Sequence, residues 1–570
     1  MAANGILPFH RTVPSTHCRR PNVAAPGRNR GLVSGSGKGH AGWVGNDHHQ
    51  PSFGAILSRI SDRVWLAGLL TVLAIGQWLL VSTEFGHFHD PTVYLAGAES
   101  LATSGDYRFE AHEGRPAIGL YPPMHSFFLS LGWRMWPRFP ENLALLRWGI
   151  IGLSLGAMAA SFLVMRRLGT PLGLTLGFCV NAGLGMRWME GVTWMMSDAA
   201  MMALLLGSAA AWLGWEGLGS RRWAYPLTGL VLAVAVGWRT AAVGAVLGAG
   251  LVMLAGGLKN GGLGRFLWVT GPPAMLTVGW AMKAREGVAY GGAYRVILEG
   301  AGGGLTGYGR ILTAQLMEVA SGRPLFDAFL LPLSRSGLVL VQRMGGVGWV
   351  WIVIIAGMAW WILGHAMRGM IWSREGRERV VMGGMVGYLL MAFAAPNGAS
   401  SVGRYFVPLV PLVIGFAWRS WSTGRSTELP GRVAAMGLMA LMLAIPLNVR
   451  MSWSAKRYWD GFHDLRDLRA FAEWVGTHVE PGGRIAMDWS LPVMHFRAWS
   501  GRRVVADGIH TGRSFTPVRP PEGMPGHVVI STEGWDRYEP PAEFERVHVS
   551  PGGKYLLYRV PAGFRAGGIK

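Results

Sequence analysis

Apolar residues gather in eleven runs, at residues 64–81, 143–165, 171–186, 198–215, 225–238, 240–258, 265–282, 347–366, 380–395, 405–418 and 433–449. Most come close to the length that carries an α-helix across the hydrocarbon core of a bilayer, about 17–25 residues. The pattern predicts a polytopic α-helical membrane protein with about eleven transmembrane helices. Half of the residues are hydrophobic and only 15% are charged, more apolar surface than a soluble chain of this size can hide. The 84 glycines and 27 tryptophans fit the same reading. Small residues let membrane helices approach closely, and Trp collects at the membrane–water interfaces.

Outside the runs the pattern changes twice. Residues 1–62 are rich in Gly, Pro, Ser, Arg and His, and Asp47 is the only acid as far as Gln50. No apolar core can form there, which predicts a disordered basic tail. Residues 63–450 hold the runs and two long polar insertions, 83–142 and 283–346; within the second, 311–319 reads as a short interfacial helix. Residues 451–570 read as a small soluble α/β domain. An amphipathic helix is expected at 459–479, with Leu465, Leu468, Phe471, Ala472 and Val475 on one face, ended by Pro481-Gly482-Gly483. Short strands are expected at 484–487, 503–506, 527–531, 547–549 and 555–560, with a helix at 491–499.

A formal net charge of +21 would suggest a nucleic-acid partner in a soluble protein. Here the basic residues lie in the tail and in short loops, and no nucleic-acid motif accompanies them, so they read as determinants of orientation and contacts with membrane lipid. With the tail in the cytoplasm, the cytoplasmic loops hold Arg166-Arg167, Arg221-Arg222, Lys259 with Arg265, and the basic stretches 368–379 and 419–432. Segments 83–142, 187–197, 283–346 and 396–404 then meet on the opposite side, together with the C-terminal domain. A bacterial plasma (inner) membrane suits this arrangement. The two cysteines, Cys18 and Cys179, define neither a disulfide framework nor a metal knuckle.

The stretch from Glu84 to Trp136 carries Glu84, Asp90, Glu99, Asp106, Glu110 and Glu113 in a chain otherwise poor in acid. Asp90 precedes Pro91, so it can cap a helix. In an acidic and aromatic setting beside a membrane it can also act as a base whose pKa desolvation lifts toward the useful range. His87 and His89 have no evident third partner for a metal. Ser197-Asp198, at the start of the fourth run, reads as a helix cap ahead of a catalytic role.

Asp90, Tyr94, Ala98 and Gly105, followed by Tyr121-Pro122-Pro123-Met124, resemble the GT-C glycosyltransferases. More narrowly they resemble the bacterial members grouped with protein mannosyltransferases and the aminoarabinose transferases of lipid A, with Met124 where that pattern has Leu. Residues 229–239 are similar to a glycine-rich fifth helix ending in a basic residue. Gly403-Arg404-Tyr405 with Pro408 and Pro411 is similar to the family's Arg-Tyr helix. Glu473-Trp474, Pro481-Gly482 and Ser500-Gly501-Arg502-Arg503 are similar to its outer soluble domain. The resemblance covers most of the chain beyond residue 64.

It implies a GT-C-like fold and transfer of a hexosyl or pentosyl group from a polyprenyl-phosphate sugar to a lipid, glycan or protein acceptor at the outer surface. Inversion is implied, with Asp90 as general base. Some members carry two adjacent acids where this chain has Asp90-Pro91. Glu84, Glu99 and Asp106 are then the nearest candidates for a second carboxylate, and Glu190 is a further one. Arg187, Arg239, Arg295 and Arg404 fall near the outer ends of runs. They can anchor helices at the interface or clamp the donor phosphate with a permanently charged fork. Tyr121 and His125 open a helix or line the sugar pocket. No cofactor is called for, and a divalent metal is left open. A transporter or lipid flippase would predict paired internal repeats or mid-membrane ionisable residues, neither of which is evident. A non-catalytic membrane subunit descended from such an enzyme would share the pattern.

Overall fold

Among the described residues, helix falls within each of the eleven apolar runs. The structure, a computed structural model, describes residues 61–82, 89–119, 121–214, 223–256, 262–284, 304–321, 325, 346–371, 376–394, 405–423, 428–460, 464–487, 492–505, 526–532, 540 and 542–561. In chain order the helices are α1 (Asp62–Leu80), α2 (His89–Thr103), α3 (Met124–Met135), α4 (Leu143–Arg167), α5 (Leu172–Leu184), α6 (Met186–Thr193), α7 (Asp198–Gly214), α8 (Ala224–Trp238), α9 (Ala242–Ala255), α10 (Gly262–Ala284), α11 (Gly304–Ala320), α12 (Gly346–Ile371) and α13 (Gly376–Ala394). A 3-10 turn (Val407–Leu409) leads into α14 (Val410–Ser422), and α15 (Glu428–Asp460) follows. Among the described residues, α1, α4 and the stretch through α15 are each long and apolar enough to cross a bilayer. The pair α6 and α7, bent by 114° at their junction, makes a fourth candidate span. Large apolar side chains such as Ile75, Leu227, Met275 and Leu443 point outward, as they do where hydrocarbon is the solvent.

Helices α9 and α13 cross with their backbones in contact. A Cβ added at Gly248 would lie 1.9 Å from the Gly383 carbonyl oxygen, and one at Gly387 would lie 2.1 Å from that of Gly244. Both helices carry glycines four residues apart, the spacing that lets membrane helices pack at minimal separation. Gly248→Leu is therefore expected to force the helices apart and cost about 1–3 kcal/mol. A lowered unfolding midpoint in detergent would register this, with Gly264→Leu, where nothing lies within 4 Å of the added Cβ, as the unaffected control.

Beyond α15 come α16 (Leu465–His478), β1 (Ile485–Met487), α17 (Val493–Ser500), β2 (Val504–Val505), β3 (His527–Ser531), β4 (Glu545–Val549) and β5 (Tyr555–Arg559). The sheet order is β2-β1-β3-β5-β4. β1 runs parallel to both β2 and β3, while β5 pairs antiparallel with β3 and β4. The amphipathic stripe Leu468, Phe471, Ala472 and Val475 is fully buried. The expected start of this helix at residue 459 is corrected. Trp459 ends α15, buried with its ring 5.2 Å from that of Trp194. A new helix begins after Asp464, whose carboxylate accepts the Asp467 backbone N–H at 3.2 Å, an N-cap that restarts the helical ladder. Asp467 in turn accepts from the Gly552 N–H at 2.6 Å and from the Ser550 hydroxyl, tying α16 to the β4–β5 turn.

The β2 edge is covered from within the chain. Val504 N–H donates to the Ala111 carbonyl at 3.0 Å, and Glu113 N–H donates to the Val504 carbonyl at 2.8 Å. His112 and Val504 form a parallel bridge. The acid-rich insertion thus bridges the edge of the C-terminal sheet through the backbone at His112.

Candidate active site

Asp90 lies inside the first turn of α2, where helix geometry favours a negative charge and tolerates Pro91. Its Oδ1 accepts a hydrogen bond from the Tyr121 hydroxyl at 2.5 Å. Burial and the neighbouring carboxylate push the Tyr121 phenol well above its ordinary pKa, so it stays a donor. One turn further along α2, the buried Tyr94 ring stands 5.1 Å from the ring of Tyr121 and 4.6 Å from that of His125. The Tyr94 hydroxyl is 3.0 Å from the Ser197 hydroxyl.

Ser197 sits in the break between α6 and α7 and also accepts from Arg239 Nη1 at 3.4 Å. The same nitrogen donates to Asp198 Oδ1 at 2.5 Å. Arg239 Nη2 donates to the Tyr405 hydroxyl at 3.5 Å, with the guanidinium carbon 5.3 Å from the centre of the Tyr405 ring. Five separated segments therefore converge: α2, the start of α3, the α6–α7 break, the end of α8 and residue 405.

His125 supports this cluster from behind. It is fully buried. Its Nδ1 accepts from the Trp238 indole N–H at 2.9 Å, so Nε2 carries the proton and donates to the Met195 carbonyl at 2.7 Å. Met195 has a left-handed backbone, φ 51°, a conformation that needs outside support in a non-glycine residue. His125 spans the gap between α8 and the break, and both its ring nitrogens are taken by these contacts. Burial lowers its pKa to about 4. An unfolded histidine titrates near 6.5, so this contribution to stability is complete above that pH and is lost as pH falls toward 4. The expected loss is roughly 3 kcal/mol. Unfolding midpoints at pH 7 and pH 4.5 should drop further for the wild type than for His125→Gln, which keeps a donor and an acceptor without the charge.

Other described candidates have partners of their own. Glu99, nine residues along α2 from Asp90, pairs with Arg497; desolvation raises its pKa against the pull of that guanidinium. Desolvation also acts on Asp106, but hydrogen bonds from Ser100 and Ser104 and the charges of Arg115 and Arg108 hold it below its ordinary value. The structure gathers neither acid with Asp90. Arg187 and Glu190 pair with each other at 3.2 Å on α6. Glu84, Arg295 and Arg404 lie outside the described residues. The second carboxylate of the cluster is Asp198, read from sequence as a helix cap. Its opening position in a helix was the only local signal, and its partner Arg239 stands on another helix. Among the described residues, no three His, Cys, Asp or Glu side chains gather to hold a metal.

No protein-family model matches the chain, and no curated protein matches it. Solved structures do. ArnT from Cupriavidus metallidurans bound to undecaprenyl phosphate aligns over 88% of this chain and 99% of its own, with a TM-score of 0.51 at 13% identity. The Archaeoglobus fulgidus oligosaccharyltransferase tethered to an acceptor peptide aligns over 89% of this chain and 75% of its own, with a TM-score of 0.51 at 10% identity. The chain has the GT-C fold.

Within this GT-C fold a partly open apolar cavity lies among α7, α8, α9, α10, α13 and the start of α14. Leu205, Trp212, Leu232, Met253, Val381 and Leu412 contribute to its wall. Leu205 is seven residues along α7 from Asp198, and Leu232 is seven residues along α8 from Arg239. At 1.5 Å per residue each helix leads from the cavity to the polar cluster in about 10 Å.

Proposed function

We propose that the chain is a glycosyltransferase that moves a hexosyl or pentosyl group from a polyprenyl-phosphate sugar to a lipid, glycan or protein acceptor. The observation that carries this reading is one cluster holding Asp90, Arg239 and Asp198 about two helical turns from a cavity suited to an isoprenoid chain. The GT-C fold supports it. So do the undecaprenyl phosphate on ArnT and the acceptor peptide on the oligosaccharyltransferase, which are a lipid carrier and an acceptor on chains of the same fold.

Asp90 takes the proton from the acceptor hydroxyl as its oxygen attacks the anomeric carbon. The bond to the donor phosphate breaks, and its electron pair leaves with the phosphate. A single displacement inverts the anomeric centre. Tyr121 orients the Asp90 carboxylate through the hydrogen bond to Oδ1. Arg239 stabilises charge on the departing phosphate, and Asp198 fixes the direction of its guanidinium. The distribution of basic residues in the tail and loops supports a cluster at the outer face of a bacterial plasma membrane, with residues 451–570 on the same side.

The test is sugar transfer by the purified chain in lipid, with a panel of labelled polyprenyl-phosphate sugars and a mixed acceptor fraction. Acceptor-dependent release of polyprenyl phosphate is expected from one donor class. No release from any donor, while a control enzyme consumes the same panel, overturns the reading.

A further inference from the structure

The acid-rich insertion meets the C-terminal sheet at several independent points. The backbone around His112 bridges to Val504 of β2. Glu113 accepts from Arg484 at 2.9 Å, and Glu110 accepts from Arg503 at 2.6 Å and from Arg115 at 2.7 Å. The ring of Phe139 packs 5.0 Å from that of His495 on α17. One further contact reaches α2 itself: Arg497, on α17, donates to Glu99 and stands 3.9 Å from Glu110.

We propose that Arg497 is a positioning residue for Asp90, anchoring the far end of α2 through Glu99 so that the C-terminal unit sets where the Asp90 carboxylate stands. The proposal rests on the reading of Asp90 given above. The Glu99 and Arg497 side chains are only 15% and 23% exposed. Their attraction is thus less screened than that of a surface pair, and the hydrogen bond is charge-assisted. Asp90 and Glu99 lie about 13 Å apart on one continuous helix. Val93, Leu95, Ala96 and Ala98 between them are fully buried, so α2 shifts as a unit. A shift at Glu99 arrives at the Asp90–Tyr121 hydrogen bond, where displacements well under an ångström matter to a proton transfer. The acids of this insertion therefore divide by task. Asp90 serves the reaction, and Glu99, Glu110 and Glu113 hold the insertion against the C-terminal unit.

The experiment compares Glu99→Gln, Arg497→Gln, Arg497→Lys and the double Gln variant in the full-length chain. Backbone hydrogen exchange over α2 reads the anchor. The turnover number and donor KM for transfer read the site. Arg497→Gln is expected to speed exchange across α2 and lower turnover on the order of tenfold, with donor KM within about twofold. Arg497→Lys should restore most of both. The double variant should lose no more than the single ones, because the two side chains act through one contact. The Arg497→Gln defect should shrink as pH falls, since protonation of Glu99 removes the charge left without its partner. Faster exchange with unchanged turnover would overturn the proposal, leaving the contact a fastening only. Equal loss in Arg497→Lys, or strictly additive losses in the double variant, would overturn it too. A wild-type chain that transfers no sugar refutes the proposed function and the positioning role together, while exchange over α2 still decides whether Arg497 anchors the helix.

Discussion

Asp90→Asn lowers sugar transfer at least about a hundredfold, the scale of a lost general base, with donor KM nearly unchanged. Asparagine retains an oxygen that can accept from Tyr121, so the 2.5 Å hydrogen bond has a substitute and the unfolding midpoint should stay near that of the wild type. Transfer assays and thermal unfolding on the same preparations separate the two effects. Retained transfer would move the base to Asp198, the other carboxylate of the cluster. Parallel loss of folding and transfer would make Asp90 a structural residue.

The second large effect concerns the pair at the back of the site. Arg239 and Asp198 are held at 2.5 Å, with side chains only 12% and 16% exposed. Asp198→Ala strands a guanidinium in a shielded place, and breaking a pair in this way costs about 3–5 kcal/mol. Removing both charges, with Asp198→Asn and Arg239→Gln together, should recover most of that stability, because no uncompensated charge remains. Transfer should stay lost in the double variant, because the group facing the departing phosphate is gone. Detergent unfolding and transfer thus move apart in the double variant and together in the single one. Recovery of transfer in the double variant would remove Arg239 from the chemistry.

The helices were legible because the bilayer leaves little choice. A segment crossing hydrocarbon must satisfy its backbone internally and carry apolar side chains throughout, and a sequence pattern of long apolar runs records both demands. Asp90 and Tyr121 were legible because one insertion carries both. Asp198 was not, since its partner is 41 residues away and capping explains an Asp at a helix start equally well. The acids around Asp90 looked like a single chemical reserve. What they answer to, Arg484, Arg497 and Arg503, lies nearly four hundred residues later, in a stretch that reads alone as an ordinary α/β domain. His125 reads from its neighbours in sequence either as part of a helix entry or as part of a sugar pocket. Its role depends on Trp238 and on the bent backbone at Met195, neither of which leaves a pattern around position 125.

The backbone bridge between the insertion and the edge of β2 constrains how the protein is made. Glu110 leaves the ribosome 393 residues before its partner Arg503, and the helices from α4 to α15 are made in between. Through that interval the acidic insertion waits without its basic counterpart. When β2 emerges, it presents an open edge until the insertion closes over it. A truncated C-terminal fragment, released without that insertion, would expose a ready template for pairing with other chains. Expressed alone it should aggregate, and co-expression with the first part of the chain should rescue its solubility.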